Sequence, residues 1–196
     1  MKRNDFLKNA LLALPLASAV AACKKDGVAP DTATASPRAV SGFKMDALKI
    51  RYSEKIVLDA ITPIDFKLIG ADTGNELSVF ISTNNNKGFG PPLHVHNSFD
   101  EFFCVIDGDF IFQLENEKFT VKPGETVYVP RKARHTFDCV SAKPGTLLVG
   151  ILPAKNIEEF FVGIGKILTG KGAPDTDALV ALYKKFDSEL VGPPIR

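Results

Sequence analysis

The stretch "GFGPPLHVHNSFDEFFCVIDG", Gly88 to Gly108, holds two of the three histidines in a chain of 196 residues. The third, His135, follows in "VPRKARHTF". On a β-strand, His94 and His96 stand at i and i+2. Both side chains then leave one face, about 7 Å apart along the strand, while Val95 points the other way. Two imidazoles at that spacing can converge on one ion. After the short connection "NSFD", Glu101 opens the next run with Phe103 and Val105 on its face, and Asp107-Gly108 makes a turn. His135 comes from a separate strand. Three imidazoles and one carboxylate, carried by three strands, can therefore meet inside a barrel.

The energetics of such a meeting favour a metal. A carboxylate buried among Phe and Val without a partner is costly, and unpaired imidazoles add to the cost. One divalent cation offsets both. A nitrogen-rich set with a single carboxylate suits Fe(II), Mn, Ni, Cu or Zn. Four protein ligands around an octahedral ion leave positions open, which suits catalysis better than a closed structural site. Phe103, Val105, Phe110, Phe112 and Phe137 are expected to line the interior around it, although core packing alone also explains them.

The pattern Gly88-x5-His94-x-His96-x4-Glu101-x6-Gly108, followed by Gly124-x5-Pro130 and His135, resembles the two motifs of the cupin family. "GPPLHVH" and "DEFF", with the later "IEEFF", "ALYKKF" and "GPP", look like bacterial single-domain cupins related to flavonol (quercetin) dioxygenases. The resemblance implies an all-β fold, an antiparallel jelly-roll barrel, with one divalent transition metal per chain on His94, His96, Glu101 and His135. It also implies a metal-dependent dioxygenase acting on a small phenolic or enolic compound, with Glu101 doubling as general base. Two positions depart from the motifs. Lys132 stands where glycine is usual and disfavours a positive φ there, and Cys139 stands where Asn often ends the motif.

Short runs rich in Val, Ile, Phe and Tyr extend the β reading on both sides: "ALKIRY", "DFKLIG", "ELSVFIST", "DFIFQLE", "KFTV", "TVYVP", "HTFDCV" and "TLLVGIL". Turn signals separate them, so residues 44–153 read as one barrel. After Pro153 the period changes. Ile157, Phe160, Phe161, Ile164 and Ile167 recur at helical spacing, with Asn156 and Glu159 as a capping pair, and Leu179, Leu182, Tyr183 and Phe186 repeat the pattern. Residues 154–196 are thus expected to form a short pair of α-helices covering an open barrel edge.

The amino-terminal end reads as a targeting segment. Lys2, Arg3 and Lys8 precede the apolar "ALLALPLASAV", too short for the roughly 20 residues a membrane span needs. Val20-Ala21-Ala22-Cys23 resembles a bacterial lipobox, and "RNDFLK" a degraded twin-arginine signal with Asn4 in place of the second Arg. Residues 1–22 are then a signal peptide and residues 23–43 a lipidated Cys23 with a flexible tether. This makes the chain an exported periplasmic or cell-surface lipoprotein of a bacterium, touching the membrane only through its lipid. Removing Lys2, Arg3, Lys8 and Asp5 takes the net charge from +1 to −1. With no block of Lys or Arg, nothing resembles a nucleic-acid surface. The partner is a small molecule, and a homodimer is left open. Alternation puts Cys104 outward and Cys139 inward, which argues against a disulfide between them. Two rival functions remain: an isomerase or lyase on a sugar or hydroxy acid, and a non-catalytic ligand-binding cupin.

Overall fold

The computed structural model describes residues 41–47, 49–52, 56–58, 62–169 and 174–195. The expected signal peptide, the lipidation at Cys23 and the tether as far as residue 40 lie outside the described residues.

Alternating side chains build the barrel. Sheet A holds β1 (Ile56–Leu58), β2 (Thr62–Leu68), β3 (Ser78–Asn85), β5 (Asp100–Asp107), β8 (Thr126–Val129) and β10 (Gly145–Leu152), in the order β1-β2-β3-β10-β5-β8. Along β5, Glu101, Phe103 and Val105 are buried, whereas Phe102, Cys104 and Ile106 face outward. Along β10, Leu147, Val149 and Ile151 repeat the period of two, as do Ile64 and Phe66 on β2. Sheet B holds β4 (Pro92–His96), β6 (Phe110–Leu114), β7 (Glu117–Val121), β9 (His135–Cys139) and β11 (Ser188–Pro194), in the order β11-β4-β9-β6-β7. Every pairing in both sheets is antiparallel. The result is an all-β jelly roll with short helices. Gly108 takes φ +80° at the turn from β5 to β6, where an L side chain would be strained.

Helix α1 (Gly70–Thr73) is a single turn, while α2 (Ile157–Leu168) and α3 (Thr176–Lys185) follow the barrel. The apolar stripe of α2 places Ile157, Phe160, Phe161 and Ile164 on the barrel interior, and Gly165 lies against the backbone of edge strand β1. The helices therefore do more than cover an edge. They form a wall of the internal cavity.

Four expectations are corrected. The described residues of "ALKIRY" form turn and bend rather than strand, and the Arg51 guanidinium grips the Asp72 carboxylate at 2.6 to 3.0 Å. An ion pair holds this segment in place of a strand ladder. The carboxy-terminal extension is not purely helical, because β11 pairs with β4. Its alternation is interrupted by Gly192, Pro193 and Pro194, which an edge strand tolerates and a propensity reading discounts. Asn156 does not cap α2. It sits at φ 52° with no side-chain cap bond, whereas the Asp175 carboxylate caps α3 by accepting from the Ala178 N–H at 3.0 Å. Finally, Lys132 does adopt a positive φ, +72°. The turn keeps the glycine-like conformation even though the residue is Lys, and the Lys132 N–H donates to the His96 carbonyl at 2.6 Å.

Candidate metal centre

Strands β4, β5 and β9 bring His94, His96, Glu101 and His135 together, with one ligand atom from each lying within 4.8 Å of the others. All four are buried, His135 completely. His94 pairs directly with His135 across β4 and β9, so their ring centroids are 4.2 Å apart. Phe99, from the connection between β4 and β5, stacks on His96 at 4.2 Å.

The hydrogen bonds behind the rings decide which nitrogen faces inward. His94 Nδ1 lies 2.7 Å from the Pro92 carbonyl, and His135 Nδ1 lies 3.2 Å from the Ala133 carbonyl. A carbonyl only accepts, so both Nδ1 atoms carry hydrogen. His96 Nδ1 lies 2.7 Å from Ser188 Oγ, whose own hydrogen goes to the Phe186 carbonyl at 3.1 Å. That Nδ1 is a donor too. All three Nε2 lone pairs are consequently left for the interior. There, Glu101 Oε2 stands 2.9 Å from His135 Nε2 and 3.2 Å from His96 Nε2.

Neutral imidazoles in this arrangement turn acceptor against acceptor. Burial holds His94 well below its ordinary pKa and His96 below it, which favours the neutral rings. Burial alone would raise the Glu101 carboxyl. A positive charge or a proton on the facing nitrogens of His96 and His135 outweighs it and keeps Glu101 below the usual carboxylate range, the effect that a cation in the cluster would also have. An anion ringed by lone pairs calls for a cation. A single proton can bridge Glu101 to one ring but not to three, whereas one metal ion satisfies every atom. The residues fit a metal.

The loop before β9 aims His135. Arg131 donates to Asp100 through its backbone N–H at 2.7 Å and its side chain at 2.9 Å, and this fork draws the Asp100 carboxyl down to about 2. With the Lys132 bond to His96, it ties the loop to the neighbours of Glu101 on one side and to a cluster residue on the other.

The cluster opens on a cavity of about 350 Å³. Phe103, Phe110 and Phe137 line it. Val105 and Phe112 do not. Both are fully buried behind the wall, and Phe112 stacks on Phe137 at 5.3 Å. Cys139 lines the cavity, while Cys104 is half-buried on the outer face of β5. The mouth includes Asn85, Asn86 and Phe89, from the loop "TNNNKGFGPP". Gly90 lies so close to β9 that a Cβ there would overlap the Phe137 carbonyl.

Three participants are not apparent from the motifs. Ser188 reaches His96 from β11, a strand the sequence pattern conceals. Tyr183, on α3, faces His94 with ring centroids 5.6 Å apart; the sequence offers it only as one of three phenol donors, with Tyr52 and Tyr128, and its helical spacing signals burial. Burial first, and then the Glu101 charge, push its phenol well above the ordinary value. The Arg131 fork on Asp100 had no signal beyond two charged residues 31 positions apart.

Residues 84–151 match the Cupin domain family (Cupin_2). Those residues are therefore similar to a cupin domain, and the four buried residues are a set that could bind one metal ion. A stretch of 67 residues is 33% identical to Uncharacterized protein MJ1618 of Methanocaldococcus jannaschii, covering 34% of this chain and 54% of that protein. The chain thus spans about half the length of the curated relative it matches. Among solved structures, KdgF from Halomonas sp. is 17% identical with a TM-score of 0.42, over 47% of this chain and 80% of that one. The cupin domain of Schizosaccharomyces pombe Cnp3 is 13% identical with a TM-score of 0.44, over 58% and 77%. A putative sugar phosphate isomerase from Acidithiobacillus ferrooxidans is 20% identical with a TM-score of 0.40, over 46% and 59%. None of these likenesses bears on activity.

Proposed function

We propose that this protein is a metal-dependent dioxygenase of a small phenolic or enolic compound. The observation that carries the reading is the meeting of three Nε2 lone pairs and one carboxylate at a largely apolar cavity. His94, His96, Glu101 and His135 would hold one divalent transition metal. When bound, that ion supplies Lewis-acid and one-electron chemistry at positions the four side chains leave open.

The chain's own residues do the rest. Phe103, Phe137 and Phe160 offer flat apolar surfaces that orient a ring and exclude water. Glu101 is held as an anion. Its Oε2 faces the imidazoles, and its Oε1 makes no hydrogen bond to a described residue, so Oε1 is the atom to accept the hydroxyl proton of a substrate. A sugar would leave most of its hydroxyls without partners along these walls.

A second reading has one observation in its favour. An isomerase or lyase needs an acid–base group beside the metal ligands, and Tyr183 stands there. Oxygen consumption separates the two. Purified protein is expected to carry close to one transition-metal ion per chain, and His94→Ala or Glu101→Ala to lose most of it. A flavonol or related enediol should then cause oxygen uptake by the metal-bearing protein, and Glu101→Gln should abolish it. Turnover of a sugar or hydroxy acid without oxygen, with no uptake across a phenol and enol panel, would replace this reading by the second.

The export reading is also a proposal. It rests on Lys2, Arg3, Lys8, the apolar run and Cys23. Among the described residues, no helix is long and apolar enough to cross a membrane.

A further inference from the structure

The polar groups around the cavity are not equally available to a ligand. Asp138 is occupied by the Gly88 N–H at 2.8 and 3.0 Å. Ser82 donates to Asn85 Oδ1 at 3.0 Å, and Asn85 donates in turn to the Ser82 and Gly145 carbonyls. Asn86 gives one amide hydrogen to the Asn84 carbonyl at 2.8 Å. At the cluster end the cavity is lined by His94, His96, Glu101 and Tyr183, and there Glu101 Oε1 and the Tyr183 hydroxyl make no hydrogen bond to a described residue.

Tyr183 is 3% exposed, and its ring is fixed edge-on between His94, at 5.6 Å, and Phe160, at 5.0 Å. Its hydroxyl makes no hydrogen bond to a described residue. Nor is it sealed away, since Asn75 Oδ1 is the one enclosed, unpartnered side-chain atom among the described residues. Buried phenols normally have a partner. A tyrosine held this firmly, with its donor unused and facing the cavity, is set for an acceptor that arrives from outside.

We propose that Tyr183 is a ligand-binding residue of this cavity: its O–H donates to one oxygen of a ligand that carries two adjacent oxygens on an otherwise apolar, planar body. The second oxygen meets the metal cluster, and the rest of the molecule lies against phenylalanine. This inference rests on the metal-site reading above and narrows its substrate class to vicinal diols, catechols and α-hydroxy enols or enones.

The test uses the full chain with its native metal and two probes. 4-Nitrocatechol has two adjacent oxygens and an absorption that shifts on metal binding. Pyridine reaches a metal through one nitrogen and offers nothing for a phenol to bond. Tyr183→Phe keeps the ring and removes only the hydroxyl. It is expected to retain metal content and melting temperature, to bind 4-nitrocatechol about tenfold more weakly, and to bind pyridine as before. Equal 4-nitrocatechol affinity in both proteins overturns the inference. So does an equal loss for both probes, which would mean that Tyr183 acts only through its packing on His94. Wild-type protein without metal overturns the metal-site reading and this inference together. Metal-bearing protein that ignores the substitution overturns this inference alone.

Discussion

Replacing Ser188 by alanine deletes one hydroxyl and two hydrogen bonds. His96 Nδ1–H loses its acceptor at 2.7 Å, and the Phe186 carbonyl loses its donor at 3.1 Å. Ser188 is 1% exposed and His96 5%, so water has no open path to replace the missing oxygen. If the imidazole keeps its place, a buried N–H goes unsatisfied at a cost of about 1–3 kcal/mol. If it turns to find another acceptor, Nε2 leaves the cluster. Both routes weaken the metal site, and substitutions behind a metal-bound imidazole typically cost about 10- to 100-fold in affinity. The expected loss is of that size, roughly 1.4–2.8 kcal/mol at 1.4 kcal/mol per tenfold. Competition against a graded series of chelators reads it directly. Melting curves of the metal-free protein should fall by about 2–4 °C for each kcal/mol lost. Ser188→Thr keeps the hydroxyl and is expected to hold metal more tightly than Ser188→Ala. Wild-type metal affinity in Ser188→Ala, or no difference between the two variants, would refute the assignment of the Nδ1 proton and the role of β11.

Lys132→Gly should stabilise the protein. An L-residue at φ +72° pays about 1–2 kcal/mol, and the greater freedom of glycine in the unfolded chain returns about half of that. A rise of a few degrees in melting temperature is expected, and a fall would show that the lysine side chain has its own role. The pH dependence follows from His94 and His96, whose folded values are depressed chiefly by burial. Between those values and about 6.5 the unfolded chain binds protons that the native chain does not, so metal-free stability rises with pH and is lost as pH falls below about 6.5. Metal affinity falls in the same direction, because protons compete for the ring nitrogens. Denaturation at about pH 7.5 and about pH 5 checks the sign. Asp100, drawn down to about 2 by Arg131, adds its own loss only below about pH 4. Cys23→Ser should release the protein from sedimenting membranes or leave it unprocessed; a wild-type protein already soluble and cleaved elsewhere would refute the lipid anchor.

The strands that build the barrel interior were legible because a half-buried strand writes its own code. Glu101, Phe103 and Val105 alternate with Phe102, Cys104 and Ile106, and the structure reproduces that alternation residue by residue. The same rule placed His94 and His96 on one face. Alternation assigns a face, however, and not a depth. Val105 and Phe112 point inward as read, yet neither reaches the cavity, and Phe112 packs against Phe103 and Phe137, which do. Lys132 shows a different limit. Propensity argues against positive φ at a lysine, but the Arg131 fork and the His96 carbonyl fix the loop on both sides, and tertiary bonds outweigh a local cost of about 1–2 kcal/mol.

The carboxy-terminal segment was the least legible part, and it finishes the site. Helical spacing in "ALYKKF" identifies Tyr183 as buried without saying what it is buried against. Nothing in "DSELVGPP" announces a strand, since Gly and two Pro interrupt a run of only seven residues. Its order comes from β4, the strand that carries two of the histidines, through register pairs Ser188 with His96 and Leu190 with His94. One short stretch therefore reaches the cluster twice. Tyr183 meets His94 from the cavity side, and five residues later Ser188 holds His96 from behind. The jelly-roll strands β4, β5 and β9 supply every candidate ligand atom, whereas α3 and β11 supply the bond that fixes His96 and the phenol beside His94. The ligand set comes from the barrel, and its tuning comes from the extension. A reading confined to the barrel motifs locates the centre and still misses the two residues through which this chain makes it its own.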